Sequence, residues 1–249
     1  MLTLGMIGAG NMAGAIANGI LQKGILPAEQ LGCFDLDEAK ARAFAQKGAH
    51  VFGDARQVVE GCRYVLLAVK PQNYPDVLRE IAPVCRPETV FISIAAGMTS
   101  GYIKGQLGYD AKVVIVMPNT PLLVGAGAVA LSQAAPVNAE EFAFVRSLFD
   151  AAGHTEVIDE EKMNEVIPLN GSSPAYIYYF AQIFVDRAVE LGFDPQVANR
   201  LFCETLVGAA KMMTETGMSH QQLIDMVCSK GGTTIKGLDV MKERGMKEA

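Results

Sequence analysis

Basic runs are missing from this chain. Lysine and arginine total 21 against 27 aspartates and glutamates, for a formal charge of −6, and no stretch gathers the cations together. That excludes the electrostatic footprint of a nucleic-acid or anionic-membrane partner. Histidine is scarce: His50, His154 and His220 stand far apart, without the H-x-x-x-H or H-E-x-x-H spacing of a metal site, so no metal is expected. The five cysteines, Cys33, Cys62, Cys85, Cys203 and Cys228, are odd in number and form no C-x-x-C pair. Reduced thiols in a cytosol fit them better than a disulfide framework. No apolar run is long enough to cross a membrane; AYIYYFAQIFV (175–185) meets Asp186 and Arg187. The apolar start, MLTLGMIGAG, lacks the basic flank of a secretory signal, and its glycines fit a turn. These absences describe a soluble, cytoplasmic protein.

What is present is an ordinary globular composition: 249 residues, 50% apolar and 19% charged, enough for one large domain or two modest ones. Short apolar runs at 2–8, 31–35, 64–69, 89–96, 112–117, 127–132 and 155–159 read as strands. Stretches of helical spacing, such as 12–23, 38–47, 73–82 and 138–151, fall between several of them. Strands alternating with helices imply β-α-β units around a mostly parallel, doubly wound sheet of the Rossmann type. Near-continuous apolar strands such as YVLLAV (64–69) suit a sheet covered on both faces.

Beyond about residue 160 the β signal disappears. Segments 174–191, 195–216, 219–227 and 233–244 read as helices, with Pro174 and Pro195 at helix starts and Gly192 and Gly217 just past helix ends. The expected organisation is therefore a dinucleotide-binding domain over 1–159 and an all-helical domain over 160–249. Long helices with apolar faces in so small a tail call for cover, either from a second copy of the chain or from its own sheet.

The loop Gly8-Ala9-Gly10-Asn11-Met12-Ala13 follows a strand and opens a helix, the setting of a G-x-G-x-x-A dinucleotide fingerprint. Gly8 permits the tight turn, Gly10 admits a pyrophosphate, and Ala13 keeps helix and strand close. Asp35 ends the second strand, 22 positions beyond Ala13, where a carboxylate accepts ribose hydroxyls and repels a 2′-phosphate. That favours NAD(H) over NADP(H). Asp37, just beyond, serves equally well as the cap of the following helix. Ala68-Val69-Lys70-Pro71, Ile94-Ala95-Ala96-Gly97 and Met117-Pro118-Asn119-Thr120 end three further strands at the sheet's carboxyl edge, where small residues leave room for a nicotinamide ring.

A second glycine-rich cradle lies near the other end. In CSKGGTTIKG (228–237), Ser229, the amides of Gly231 and Gly232, and Thr233 and Thr234 can surround a carboxylate at the positive end of a helix. GSSPAY (171–176) is another hydroxyl-rich helix entry, for which plain capping is sufficient. With IGAGNMA, AVKP, SIAAG and MPNTP, these segments run in order along nearly the whole chain, and together they resemble the Δ1-pyrroline-5-carboxylate reductase family.

The resemblance implies NAD(P)H-dependent reduction of a cyclic imine to L-proline, on a Rossmann domain followed by a helical domain that interlocks two subunits. It implies cofactor contacts at Ile7, Gly8, Ala9, Gly10, Asn11, Met12, Asp35, Ala68, Val69, Lys70, Pro71, Ile94, Ala95 and Ala96. Substrate contacts are implied at Ser229, Gly231, Gly232, Thr233 and Thr234. We assign the Thr234 hydroxyl to the ring nitrogen, the one catalytic contact expected. The sequence departs from the family at Lys230, where a proline is usual, and at Asp35, where many members have a small polar residue. A non-catalytic dinucleotide-binding regulator and a related dehydrogenase or imine reductase for another small acid are the alternative readings.

Overall fold

Successive residues of the apolar strands are buried on opposite faces of a single sheet. In the computed structural model, which describes residues 1–248, β1 (Leu2–Ile7) leads through the glycine loop into α1 (Asn11–Gln22). β2 (Leu31–Phe34), α2 (Glu38–Ala45), β3 (His50–Val51), α3 (Ala55–Gly61), β4 (Cys62–Leu67), α4 (Tyr74–Ile81), β5 (Val90–Ser93), α5 (Ser100–Leu107) and β6 (Lys112–Met117) follow in alternation. β7 (Gly127–Gln133), α6 (Ala139–Asp150) and β8 (Gly153–Val157) complete an eight-stranded sheet of order β3-β2-β1-β4-β5-β6-β7-β8. All neighbours are parallel except β6 and β7. The strand order reverses between β1 and β4, which places the switch-point crevice beside the glycine loop.

Leu4, Met6, Leu66, Ile92, Val114 and Val116 face α1, α2 and α6 through Ile16, Ile20, Phe44, Val145 and Phe149. Their sequence neighbours Val65, Leu67, Phe91, Val113 and Ile115 face α3, α4 and α5 through Val58, Leu78, Ile81 and Ile103. Each such side chain contributes about 1.5–3 kcal/mol by leaving water, so the sheet is held from both sides. Cys33 and Cys62 belong to these cores. Burial pushes the Cys33 thiol up to about 11 and the Cys62 thiol up to about 12, which keeps both protonated near neutrality.

α3 and α5 are elements that the apolar pattern does not reveal. α3 is seven residues long and depends on Asp54, whose carboxylate accepts the Gln57 N–H. α5 holds two glycines, Gly101 and Gly105, and is fixed by the Thr99 hydroxyl accepting the Tyr102 N–H. β8 starts two residues before the expected Thr155. Its first residue, Gly153, pairs with Gly127 of β7 so closely that a side chain would overlap the Gly127 backbone. A glycine required by close approach reads in sequence as a turn.

The chain divides into two compact units, one spanning Met1–Tyr176 and the other starting at Ile177. The first runs beyond the end of the β signal because Met163 is buried in the sheet core, with Val166 and Ile167 packed beside it. Glu160 contributes too, its carboxylate accepting the Ser100 N–H at 2.7 Å and the Ser100 hydroxyl at 2.6 Å. α7 (Ile167–Asn170) closes this unit, and α8 (Ser173–Glu190) begins in it.

The second unit consists of the rest of α8, α9 (Pro195–Glu215), α10 (His220–Val227) and α11 (Thr233–Glu243). Phe184 stacks on Phe202 at 5.0 Å, joining α8 to α9, and meets Phe180 of its own helix in a tilted contact at 4.8 Å. Gly192 and Gly217 adopt positive φ past their helices, as the sequence implies. Ala198 is the only buried hydrophobic residue among those described from 177 on, while Ile183, Leu201, Val207, Met226 and Val227 are exposed. This unit does not bury its apolar faces by itself. No helix among the described residues is long and apolar enough to cross a membrane.

Candidate active site: two glycine-capped helix ends

Six helices have a side chain satisfying the first-turn amides: Asp37, Asp54, Thr99, Asn138, Asp194 and Ser219 cap α2, α3, α5, α6, α9 and α10. α1 and α11 instead start at glycines, Gly10 and Gly232, with no side-chain cap. These are the two cradles singled out in the sequence. Their first amides stay free to bind an anion in the field of the helix dipole.

At the first cradle, Gly8 has φ +100, and its N–H donates to Phe34 O at 2.8 Å. A side chain there would come within 2.7 Å of Ala68 O, so the glycine lets β1 and β4 converge at the switch point. Gly10 differs: an added Cβ meets nothing within 4 Å, so its bareness serves an approach from outside the protein. Ile7, Ala9 and Ala13 are buried, Met12 is half-buried and Asn11 is exposed. These residues fit a dinucleotide pyrophosphate.

Asp35 follows β2 directly and holds this loop. Its Oδ2 accepts the Ala9 N–H at 2.7 Å, and its Oδ1 accepts the Asp37 N–H at 2.8 Å. Asp37 caps α2 by accepting the Ala39 N–H at 3.0 Å. That hydrogen bond, aided by Lys40, holds its carboxyl below the usual carboxylate range. The start of α2 is thus already occupied by a carboxylate.

Along the carboxyl edge, Ala68, Val69 and Ile94 are half-buried, Ala95 is buried, and Lys70, Pro71 and Ala96 are exposed. Sequence reasoning missed what supports this edge. The buried Tyr74 hydroxyl donates to Leu67 O at 3.0 Å and lies 2.8 Å from Ser93 Oγ, bracing the ends of β4 and β5. Burial pushes that phenol far above its ordinary range, so it stays a neutral donor. A serine inside the apolar run FISIAA was the signal available.

In the second unit, Gly231 has φ +76, and the Gly232 N–H donates to Ser229 O at 2.9 Å. The chain folds so tightly that a side chain on Gly232 would overlap Ser229 Oγ. Ser229, Gly231, Gly232, Thr233 and Thr234 therefore gather at the start of α11, with Ser229, Thr233 and Thr234 exposed. Thr234 also lines a cleft of about 500 Å³ with Met212, Met213, Leu223, Ile224 and Cys228. At GSSPAY, Ser173 Oγ donates back to Leu169 O at 2.7 Å and Pro174 is buried. A larger hollow of about 750 Å³ lies beside Leu2, His50 and Phe52, at the opposite end of β1 from the glycine loop.

A switch-point glycine loop, a carboxylate after β2 and a mostly parallel sheet define a nicotinamide-dinucleotide oxidoreductase of the Rossmann class. The sequence model of the family described as NADP oxidoreductase, coenzyme F420-dependent, matches residues 3–97, and that of pyrroline-5-carboxylate reductase dimerisation matches residues 160–249. The chain is 36% identical to a pyrroline-5-carboxylate reductase of Escherichia coli (strain K12), covering 99% of this chain and 92% of that protein. A pyrroline-5-carboxylate reductase structure from Coxiella burnetii superposes with a TM-score of 0.89 at 32% identity, over 99% of this chain and 92% of that one. One from Plasmodium falciparum, with NADP bound, gives 0.90 at 28% identity over the same shares. The chain belongs to the pyrroline-5-carboxylate reductase family. The dimerisation match supports a homo-oligomer.

Proposed function

We propose that the protein reduces 1-pyrroline-5-carboxylate to L-proline with NAD(P)H, residues 1–159 carrying the dinucleotide and 160–249 the substrate and dimer contacts. The observation that carries this reading is the pair of uncapped, glycine-started helices in a chain whose relatives bear this name. One cradle takes the pyrophosphate, through Ile7, Gly8, Ala9, Gly10, Asn11 and Met12. Asp35 meets the ribose, and Ala68, Val69, Lys70, Pro71, Ile94, Ala95 and Ala96 flank the cofactor along the sheet edge.

The other cradle takes the carboxylate of the imino acid, through Ser229, Gly231, Gly232 and Thr233, and leaves the Thr234 hydroxyl to hydrogen-bond the ring nitrogen. Bound in the first cradle, the reduced dinucleotide supplies the hydride. A protonated C=N is already electrophilic, so what remains for these residues is orientation. The Asp35 charge favours NADH over NADPH, and the apolar faces of α8 to α11 are covered in a homodimer. Loss of absorbance at 340 nm with NADH and pyrroline-5-carboxylate tests the reading; dinucleotide binding without turnover would overturn it.

A further inference from the structure

β6 and β7 pair antiparallel up to Met117↔Ala130, and the same register carried two residues further sets Asn119 opposite Ala128. That rung is made by side chains. Asn119 Oδ1 accepts the Ala128 N–H at 2.9 Å. Asn170 Nδ2 donates to Ala128 O at 3.2 Å and to Met117 O at 2.7 Å. Asn119 Nδ2 donates to Asn170 O at 3.1 Å, closing the bridge. Two carboxamides thus stand in for backbone where the two strands part, and they tie the last residue of α7 to the carboxyl end of β6.

Both side chains are buried, at 7% and 6% exposure, and Asn170 Oδ1 has no hydrogen-bond partner. An unsatisfied buried oxygen is unfavourable, and this one is held in place by an amide that is otherwise committed to Met117 O and Ala128 O. The bridge sits on the ligand-binding edge, three strands from β1, about 14 Å at ordinary strand spacing. That lies well away from the loop that holds the pyrophosphate.

We propose that Asn119 and Asn170 are positioning residues for hydride transfer, fixing the far end of the cofactor edge and the lead into α8. The inference rests on the reductase reading.

Asn170→Leu keeps the branched outline, with somewhat greater bulk, and removes every side-chain hydrogen bond. Its kcat is expected to fall at least about thirtyfold, because small displacements of reacting groups are costly, while the Kd for NADH by fluorescence titration stays within about threefold of wild type. Asn170→Asp separates positioning from stability. A carboxylate facing Met117 O and Ala128 O is disfavoured, so its pKa is raised, and only its neutral form has an O–H to donate. The variant's kcat relative to wild type should therefore recover as pH falls and decline as it rises.

Wild-type kcat and pH profile in both variants, whatever their melting temperatures, overturn the inference. Should Asn170→Leu fail to fold, the Asn170→Asp profile decides. Absence of turnover in the wild-type protein overturns the reductase reading and this inference with it. Turnover in wild type with unaffected variants overturns the inference alone.

Discussion

The Asp35 carboxylate accepts the Ala9 N–H at 2.7 Å, so the residue proposed to read the ribose also closes the glycine loop. A carboxylate has about four acceptor sites, and two are used here by Ala9 and Asp37. On the proposed reading the rest accept ribose hydroxyls, and the negative charge opposes a 2′-phosphate. Charge and loop closure separate by mutation. Asp35→Asn keeps an oxygen for Ala9 and removes the charge; Asp35→Ser removes both. Each should raise the ratio of kcat/KM for NADPH over NADH by at least about tenfold, the equivalent of about 1.5–3 kcal/mol. Asp35→Ser should also weaken both cofactors. A change in ratio well under tenfold in Asp35→Asn would count against selection by charge.

Thr234 is the second residue of α11, exposed on the rim of the apolar cleft. Thr234→Val preserves shape and deletes the hydroxyl. If that hydroxyl bonds the protonated ring nitrogen, kcat/KM for the imine drops by about 2 kcal/mol, roughly thirtyfold, since hydrogen bonds to charged groups are the stronger kind. NADH affinity stays unchanged because the pyrophosphate loop is untouched. Wild-type steady-state rates in this variant exclude the role.

Both cradles were legible because glycine and hydroxyl residues at a helix start leave a local signature. The doubly wound sheet was legible because YVLLAV and KVVIVM are short, β-branched-rich and apolar at consecutive positions, which suits strands covered on both faces. What escaped depends on distant partners. Asn170 bonds Met117, 53 residues away, and Tyr74 meets Ser93, 19 residues away. Nor does any pattern around Met163 tell that its side chain joins the sheet core and carries the first unit on to Tyr176.

Tyr74 is 1% exposed, and its hydroxyl lies between Leu67 O and Ser93 Oγ. Tyr74→Phe keeps the ring and strands two buried polar groups, at a cost of about 1–3 kcal/mol. Leu67 O keeps only a long contact, 3.5 Å, from the Ile94 N–H. Urea titration should show a lower midpoint at unchanged slope, the mark of lost stability without a change in the surface exposed. Ser93→Ala combined with Tyr74→Phe should cost less than the two separate losses added, because each change removes the same hydrogen bond. Strict additivity would show that the two hydroxyls do not interact.

Glu141 joins the amino end of α6 to two strands. Its Oε1 accepts from Lys112 Nζ at 2.6 Å and from the Arg63 guanidinium at 2.8 Å, and its Oε2 accepts the Asn138 N–H at 3.2 Å. Burial alone would raise its carboxyl, but Lys112, the Asn138 N–H and Arg63 together hold it below its ordinary value of 4.5. A depressed folded-state pKa means that the stabilisation is complete above the unfolded-state value and is lost as pH falls through the folded one. Glu141→Gln keeps the helix cap and removes the charge. Near neutrality it should cost about 2 kcal/mol, less than a fully buried pair would lose, because the Arg63 side chain keeps 40% of its surface in solvent. The difference from wild type should then shrink as pH is lowered from 4.5, where the unfolded chain begins to take up the proton, through the lower folded-state value, where the native carboxylate is itself protonated. Denaturant unfolding of both proteins across this range measures it. A gap that stayed constant into acid would mean that shape at position 141, and not charge, holds α6 to the sheet.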